Sequence, residues 1–371
     1  MKMLKESLKK VLPRDSIDNL KTLQKRLAMG WVRALSRSAM LRRFHYSFFS
    51  SAFDREAYAV VVGHLQHEQN LSGAEPVNYF LRRAVHRIEK GLIMQPRRQV
   101  FALDYINDTV DSYIASLNGN VDRDEVSWAH DVLAEYFAVT GDHPVLNRAR
   151  EKFARFERPS GSPHTLRHPD AERVPFAADV SMPSVDFTAM RQLAMKRRSV
   201  RWYQQDRPVP REVIDKAVEV AVQSPSACNR QPYRFVVFDD PASVAQASRL
   251  PMGVAGFDHN FPAIVAVVGR LRAYPHVRDR HVIYIDGALA AMSFMFALET
   301  QGVSSCSINW PDIPEREEAA AKLLKLDPDE RIVMFISLGY AADTGLVPYS
   351  QKLSLEEARS YMRLELSLIH I

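Results

Sequence analysis

The sequence is poor in cysteine and contains no long uninterrupted apolar run. Its two cysteines, Cys228 and Cys306, have neither the number expected of a disulfide framework nor the CxxC spacing of a zinc site, so we expect both to be reduced and structural. No stretch approaches the roughly eighteen consecutive apolar residues of a membrane-spanning helix, and the segment MKMLKESLKKVLPRDS lacks the apolar centre of a signal peptide. These features predict a soluble, cytoplasmic protein.

Several common catalytic motifs are also missing. The chain has no GxxxxGK[ST] phosphate loop, no GxGxxG, no HExxH and no GxSxG, which excludes the commonest P-loop enzymes, zinc hydrolases and serine hydrolases. The twelve histidines are scattered, and His164 and His168 lie in a proline-rich stretch. We therefore expect no metal site.

The residues that are present predict two structured regions. The chain has 371 residues, of which 46% are hydrophobic, and this supports more than one domain. We predict a helical N-terminal region over residues 1–157, where apolar residues between 74 and 157 recur at three- and four-residue steps. Five prolines and no sustained period predict a linker over residues 158–183. Helices that alternate with β-branched runs predict an α+β or α/β layer fold over residues 184–365.

The individual elements of the second region follow from local patterns. The predicted strands are RFVVF, AIVAVVG, VSSCSI and RIVMFISLG. The predicted helices span residues 186–196, 210–223, 282–301 and 314–326, and a short one begins at Ser354, where SLEE is a capping box.

The net charge of +5 is unevenly distributed, because residues 1–45 contain twelve Lys or Arg and three acidic residues. Apolar residues recur with helical spacing over residues 20–53, with Trp31, Phe44, Tyr46 and Phe48 among the basic residues. One interpretation is contact with an anionic membrane surface or an acidic partner through residues 1–45. The other is a solvated basic face on helices that pack against the protein itself. No nucleic-acid-binding motif accompanies the charge, so we expect no nucleic-acid partner.

Two polar clusters each allow two interpretations. KRRSVRWY, residues 196–203, is a solvated helix end or a phosphate clamp, since Lys and Arg complement the helix dipole and Arg also binds phosphate oxygens. SPSACNRQPYRF, residues 224–235, is a helix stop with a turn or a ligand cradle of uncharged donors and acceptors. Two further clusters follow, SSCSINWP at residues 304–311 and PYSQKLS at residues 348–354.

In order and spacing, these four clusters resemble the nitroreductase family of FMN-dependent flavoproteins. The resemblance covers residues 186–357, about half of the chain. It includes RRSVRWY, SPSACNRQPYRF, the alanine-rich helix IDGALAAMSFMFALETQG, and LGY followed by SQK. It implies a three-layer α+β fold, a central mixed β-sheet flanked by helices, preceded here by an all-helical region. It also implies a homodimer with FMN at the interface.

The resemblance also implies roles for single residues. Arg197, Ser199 and Arg201, with Arg198 through its backbone, would hold the FMN phosphate and ribityl chain or the pyrimidine edge. Ser226, Asn229 and Gln231 would contact the flavin from the other subunit, the backbone of residues 307–309 would approach its N5, and Lys352 would pair with the phosphate. The implied FMN-binding residues are Arg197, Arg198, Ser199, Arg201, Pro225, Ser226, Ala227, Asn229, Gln231, Ser307, Ile308, Asn309, Ser350 and Lys352. Lys352 stands where Arg is common, and Ala227 and Cys228 stand where small hydroxyl residues are frequent.

The activity implied by the resemblance is hydride transfer from NADH or NADPH through FMN to a small organic acceptor in a ping-pong cycle, with no catalytic side chain. Two alternatives remain: a flavin enzyme of the same fold that does not use NAD(P)H, and a non-catalytic scaffold. One further segment allows two interpretations, a preference for an anionic acceptor or an exposed polar loop; its residues are Tyr274, His276, Arg278 and His281. RRAVHRIEKGLIMQPRR, in the helical region, is similar to an extension on some family members. Its residues His86, Arg87, Glu89 and Lys90 are interpreted as an ion-pair face or a site.

Overall fold

The computed structural model describes residues 14–70, 73–159 and 173–362. The chain divides into two compact units, Met1–Val61 and Val62–Ile371. The predicted linker lies within the second unit, so the helices that follow residue 62 and the sheet form one compact body. Pro163, His164, His168 and Pro169 lie outside the described residues.

Within the first unit, helix α1 (Arg14–Arg37) is followed by helix α2 (Ala39–Phe48). Ser38 separates them: its backbone is extended and its Oγ accepts a hydrogen bond from the Leu41 amide at 3.2 Å, which caps α2. Arg42 Nη1 donates to the Leu35 carbonyl at 2.8 Å and so satisfies the end of α1. The predicted helical run over residues 20–53 is therefore broken at Ser38. Helix α3 (Asp54–Asn70) crosses from this unit into the second.

The second unit begins with a helical part that matches the predicted periodicity. It contains α4 (Tyr79–Leu92), α5 (Ile106–Leu117), α6 (Arg123–Val139) and α7 (Pro144–Phe153). Asn78 caps α4, and Asp122 caps α6 through its side chain. One face of each helix is apolar, and these faces form a core in which Ile88, Val110 and Leu133 have no exposed surface.

The sheet-containing part follows, and its elements lie within a few residues of the predicted ones. The helices are α8 (Phe187–Lys196), α9 (Arg211–Ala221), α10 (Pro241–Ala247), α11 (Val282–Thr300), α12 (Pro314–Leu324) and α13 (Leu355–Ala358). The strands are β1 (Tyr233–Phe238), β2 (Ala263–Arg270), β3 (Ser304–Asn309) and β4 (Glu330–Gly339). The capping box between Ser354 and Glu357 is present as predicted. Helix α10 was not predicted, although Asp240 caps it and Pro241 occupies its first turn.

The four strands form one sheet in the order β1-β2-β4-β3, with every neighbouring pair antiparallel. A bulge interrupts the β2–β4 ladder between Val267 and Val268. The predicted mixed character of the sheet is limited to an isolated parallel bridge between Ser199 and Ser305. This bridge attaches the KRRSVRWY segment to the edge strand β3.

Helices cover both faces of the sheet, which gives the predicted three layers. Because side chains alternate along a strand, Val265 and Val267 pack with α9 and α11, whereas Ile264, Ala266 and Val268 pack with α10 and α12. Gly287 of α11 lies so close to β4 that an added Cβ would be 3.0 Å from Val333 Cγ2. The close approach requires the small residue.

Helix α11 is the most apolar element of the sheet-containing part. In the described part of the chain, the stretch Val277–Thr300 is long and apolar enough to span a membrane, and half of it is buried inside the protein. Phe294 and Leu298 are fully buried against the sheet, whereas Ile285 and Leu289 are exposed. The core helix of a folded domain can have this composition, and α11 in addition keeps an apolar face exposed.

The described ends of the predicted linker are fixed to the helical part. Arg158 donates two hydrogen bonds to Asp131 of α6, at 2.6 and 2.8 Å. The Arg173 amide donates to the same carboxylate at 3.1 Å, and the Arg173 side chain pairs with Asp124 at 2.8 Å. Both sides of the proline-rich segment therefore meet at one carboxylate.

Candidate functional site

The SPSACNRQPYRF segment forms a one-turn 3-10 helix, Ala227–Asn229, between α9 and β1. Cys228, Asn229 and Gln231 have φ values of 54°, 51° and 51°, a left-handed conformation that L-residues rarely adopt. The Ser226 Oγ accepts a hydrogen bond from the Gln231 amide at 3.0 Å and closes the turn. Three left-handed residues within four positions distinguish this turn from an ordinary helix stop, and the ligand cradle stays a prediction.

The first turns of α11 anchor this turn through a buried carboxylate. Asp286 Oδ2 accepts hydrogen bonds from the Ala227 amide at 3.1 Å and from the Tyr274 hydroxyl at 2.6 Å. Asp286 is 3% exposed, and its burial raises the pKa of the carboxyl above its ordinary value, although both hydrogen bonds and nearby Arg230 oppose the shift. Tyr274 is therefore an anchor, while His276, Arg278 and His281 are exposed.

Arg230 places a buried positive charge in the same turn. Its guanidinium lies 4.7 Å from the Tyr274 ring centroid, and its Nη1 donates to the Ala227 carbonyl at 3.3 Å. Its Nε is buried without a hydrogen-bond partner, and burial lowers the pKa of the guanidinium. Across the described ranges, no Asp or Glu side chain forms an ion pair with it.

Helix α4 holds the turn from its other side. Arg82 Nε donates to the Asn229 carbonyl and Nη2 donates to Gln231 Oε1, both at 3.0 Å. Gln231 Nε2 donates to the Val222 carbonyl at 2.7 Å. The side-chain amide of Gln231, which the resemblance assigns to the flavin, thus has a partner from the protein at both its oxygen and its nitrogen.

The KRRSVRWY segment forms a second cluster at the other end of α11. Its attachment to β3 includes a hydrogen bond from the Val200 amide to the Ser305 carbonyl at 3.2 Å. Burial raises the pKa of the Cys306 thiol, and Arg201, Ser199 and Arg197 partly oppose that shift because they lie beside it. Both cysteines are free, and Cys306 is buried. In the part of the chain that the structure describes, Arg197 and Arg201 form no ion pair with an acidic side chain.

The late PYSQKLS segment joins this second cluster. Arg198 Nη2 donates to the carbonyl of Pro348 at 2.8 Å and also to that of Tyr349. Ser350 has a φ of 49°, and both it and Lys352 are exposed. The structure therefore brings three of the four sequence clusters together, around residues 197–201, 304–309 and 348–352. On β3, Ser307 and Asn309 are exposed, and Ile308 is buried in the core.

The turn of residues 225–231 is not part of that group within one chain. It contacts α11 at Asp286, whereas Lys196 and Arg197 lie near Glu299 at the opposite end. Thirteen residues of helix separate Asp286 from Glu299, or about 20 Å. The candidate site thus consists of two halves at the two ends of one helix.

The ion-pair interpretation holds for part of the helical face in RRAVHRIEKGL. His86 Nδ1 lies 3.1 Å from Glu89 Oε2, and Trp128 donates to the other oxygen of Glu89 at 2.9 Å. Arg87 instead pairs with Asp104 at 3.5 Å and stacks on Tyr105. Sequence reasoning missed Arg82 in this stretch, since nothing in its spacing distinguishes it from its neighbour Arg83.

The described residues contain no group of three or more His, Cys, Asp or Glu side chains that could hold a metal ion. Sequence reasoning also did not assign a role to Asp286. The only signal for it is an acidic residue inside an apolar helix, which is expensive to bury unless hydrogen-bonded.

Comparisons with known proteins locate the relationship in the sheet-containing part. The nitroreductase family model matches residues 194–255 and 249–340. A Thermus thermophilus protein named NADH dehydrogenase is 30% identical over 193 residues, which cover 44% of this chain and 91% of that protein. A Thermotoga neapolitana iodotyrosine deiodinase is 26% identical over 174 residues, covering 41% of this chain and 88% of that protein. The solved structure of an FMN-dependent nitroreductase from Clostridium difficile has 21% identity and a TM-score of 0.40, and it covers 46% of this chain and 98% of the other.

This chain belongs to the nitroreductase family. The matched region begins at residue 194, so helices α1 to α7 lie outside it.

Proposed function

We propose that the chain is an FMN-dependent oxidoreductase that takes electrons from NADH or NADPH and passes them to a small organic acceptor, such as a nitro compound or a quinone, in a ping-pong cycle. Family membership and the relative named NADH dehydrogenase support an oxidoreductase linked to a nicotinamide nucleotide. When bound, FMN supplies hydride acceptance and release at its N5 atom. The residues of the protein would then bind the FMN, orient it toward the substrates and shield it from water.

The donor groups of the second cluster fit a flavin phosphate. Arg197 and Arg201 offer planar guanidinium groups that are not ion-paired to a carboxylate in the described ranges, and Lys352 adds an exposed ammonium. The buried Ser305 Oγ beside them has no hydrogen-bond partner among the residues that the structure describes. Arg201 Nη1 donates to the Ser199 carbonyl at 3.3 Å, but neither arginine has a carboxylate partner in the described ranges. Cationic donors of this kind are the observation that carries the proposal, since a phosphate satisfies several of them at once.

The proposal includes a homodimer in which each site takes one half from each copy. The two halves lie about 20 Å apart along α11 of one chain. If two copies of α11 pack antiparallel across a two-fold axis, the Asp286 end of one copy lies beside the Glu299 end of the other. The Arg197 cluster of one protomer and the 225–231 turn of its partner then border one site, from which Ser226 and Asn229 contact the flavin ring.

The decisive test is the colour and flavin content of the purified chain. We expect a yellow protein, or a colourless one that takes up added FMN, whose flavin absorbance bleaches under anaerobic NADH or NADPH. A flavin that neither nucleotide bleaches would indicate a same-fold enzyme with another reductant. A colourless protein that takes up no FMN would overturn the proposal and favour a scaffold.

A variant pair tests the phosphate cluster. Changing both Arg197 and Arg201 to Ala should abolish FMN retention, because charge-assisted hydrogen bonds to phosphate are lost. Arg211→Ala is the matched control, since Arg211 is an exposed arginine paired with Asp239 at 2.5 Å outside the cluster. If the Arg197→Ala/Arg201→Ala variant retained as much flavin as the Arg211→Ala control, the assignment of the phosphate cluster would be wrong.

A further inference from the structure

We propose that Arg82 of α4 is a positioning residue for the 226–231 turn, and that the helical part outside the family-matched region is thereby a working component of the flavin site. This inference rests on the proposed function for its ligand, but not for its structural claim. Arg82 is the one side chain of the described helical part for which hydrogen bonds to residues 229 and 231 are found.

The contacts of Arg82 fall on the strained residues of the turn. Asn229 and Gln231 both have φ near 51°, a strained conformation for residues other than glycine. Such a conformation persists only where the surroundings fix it. Arg82 supplies that restraint with one hydrogen bond to each residue.

Arg82 is itself held rigidly. Its Nη1 pairs with Glu125 Oε2 of α6 at 2.9 Å, and the Glu125 side chain is 3% exposed. The other carboxylate oxygen accepts the Asn78 amide at 3.0 Å, directly before α4. The position of the Arg82 guanidinium is therefore fixed by α4, which carries it, and by α6, which carries Glu125. The conformation of the turn thus depends on how these two helices pack.

Other contacts join the helical part to the sheet independently of Arg82. Arg272 is 6% exposed and pairs with Glu75 at 2.7 Å, as well as with the buried Asp329. His67 Nδ1 forms a hydrogen bond with the Arg272 carbonyl at 2.7 Å. Loss of Arg82 should thus release the turn without detaching the helices.

The experiment compares Arg82→Met with Arg87→Met, a control on the same helix whose side chain pairs with the exposed Asp104. We expect amide hydrogen exchange in residues 226–231 to accelerate at least about tenfold in Arg82→Met, with a similar weakening of FMN affinity. The control should leave both unchanged. Because Arg82→Met leaves the buried Glu125 unpaired, the double variant Arg82→Met/Glu125→Gln provides a folded comparison.

The outcomes separate this inference from the proposed function. If the wild-type chain binds no FMN, accelerated exchange confined to residues 226–231 still supports the positioning role. If the double variant is folded and its exchange and FMN affinity match those of the wild type, the positioning role is wrong. A fall in melting temperature alone, with exchange in the turn and FMN affinity unchanged, would also overturn it.

The N-terminal helices carry a second inference. Leu23, Leu27 and Trp31 recur at four-residue steps on α1 and are 55%, 67% and 45% exposed. Met40, Phe44 and Phe48 repeat the same spacing on α2 and are 84%, 53% and 73% exposed. Two apolar stripes of this kind are what an interfacial amphipathic helix presents to the acyl boundary of a membrane.

The excess of positive charge on α1 and α2 favours an anionic membrane surface. Residues 14–48 contain eight Lys or Arg and two acidic residues. Arg26, Arg33 and Arg37 follow one another along α1 at steps that place them on one face, which flanks the Leu23 stripe. We infer that α1 and α2 bind an anionic bilayer in its interfacial plane, which would make the chain a peripheral membrane protein on the cytoplasmic side.

Vesicle co-sedimentation of the full chain tests this inference. We expect binding to phosphatidylcholine vesicles that contain phosphatidylserine, loss of binding in high salt, and little binding to phosphatidylcholine alone. Changing Arg26, Arg33 and Arg37 to Ala should weaken binding about a hundredfold, since each surface cation contributes about 1 kcal/mol. Phe44→Gln/Phe48→Gln should also release the chain, while the control Leu346→Gln, at a residue 88% exposed in the second unit, should not. If the chain bound neither kind of vesicle, or if the arginine changes did not weaken binding, the inference would be overturned. The apolar stripes of α1 and α2 would then bind an acidic protein partner or a second copy of the chain.

Discussion

Asp286 shows how one buried side chain organises the candidate turn. Its carboxylate satisfies two donors, the Ala227 amide of the turn and the hydroxyl of Tyr274, which is 2% exposed. Tyr274 in turn stacks under the buried Arg230. The conformation of the turn therefore depends on an acceptor that lies in a different element.

We expect Asp286→Ala to destabilise the chain by about 2 to 4 kcal/mol, because it strands two buried donors at roughly 1 to 3 kcal/mol each. Asp286→Asn retains an acceptor oxygen and should cost much less. Burial raises the folded-state pKa of Asp286, so its ionisation lowers stability as pH rises through that value, and Asn should remove this loss. Urea unfolding of the three proteins across the mildly acidic range measures both effects, and an Asn variant as unstable as Ala would contradict the acceptor role.

The sequence predicted where the turn lies, but it did not predict which partners its side chains bind. The motif SPSACNRQPYRF located the turn, and its polar side chains predicted a cradle. It could not show that the Gln231 amide is already bonded to Arg82 and Val222, because Arg82 lies 149 residues earlier in the chain. Contacts of such separation leave no periodicity in a single sequence.

At the scale of elements, local patterns predicted most helices and strands of the sheet-containing part. The β-branched apolar run AIVAVVG and the capping box at Ser354 are local signals, and the strand and the cap are both present. The short helix Pro241–Ala247 escaped prediction because seven residues give too little periodicity. The break at Ser38 depends on one capping hydrogen bond within a continuous apolar pattern.

The hydrogen bonds that Arg158 and Arg173 donate to Asp131 of α6 should make the stability of the chain depend on pH. Arg158 and the Arg173 amide both bond Asp131, whose side chain is 3% exposed. Burial raises the pKa of Asp131, but the hydrogen bonds from Arg158 and Arg173 and the nearby His130 ring outweigh it, and the pKa lies well below its ordinary value. A depressed folded-state pKa contributes stability above the unfolded value of about 4, and the contribution is lost as pH falls below it.

We therefore expect Asp131→Asn to lower the free energy of unfolding by roughly 2 kcal/mol near neutral pH, and the deficit to shrink as the pH falls below about 4. Denaturant unfolding at several pH values measures the difference between wild type and variant. Asp142→Asn is a control, since that carboxylate is 94% exposed and 3.8 Å from Arg150. A deficit that does not change with pH would show that Asp131 acts through packing and not through its charge.

For the whole molecule, the helices that border the two half-sites expose several apolar side chains. Ile285 and Leu289 of α11 are 57% and 42% exposed, Val220 of α9 is 48% exposed, and Met195 of α8 is 61% exposed. Exposed apolar side chains that cluster on the surface of a folded domain indicate a protein interface. A second copy is the occupant that also brings the two half-sites together.

Leu289→Glu should therefore convert a dimer into monomers, since a carboxylate buried in an apolar interface costs several kcal/mol, and a loss of about 3 kcal/mol corresponds to a dimer dissociation constant more than a hundredfold higher. The same variant should lose FMN, because each site needs the Arg197 cluster of one copy and the 225–231 turn of the other. Sedimentation velocity gives the assembly state, and absorbance gives the flavin content of each peak. Ile93→Glu, which places the same charge at a residue 57% exposed in the helical part, should stay dimeric and yellow. A wild-type chain that is monomeric yet binds FMN would contradict the shared site, and it would mean that one of the two halves on α11 binds the flavin alone.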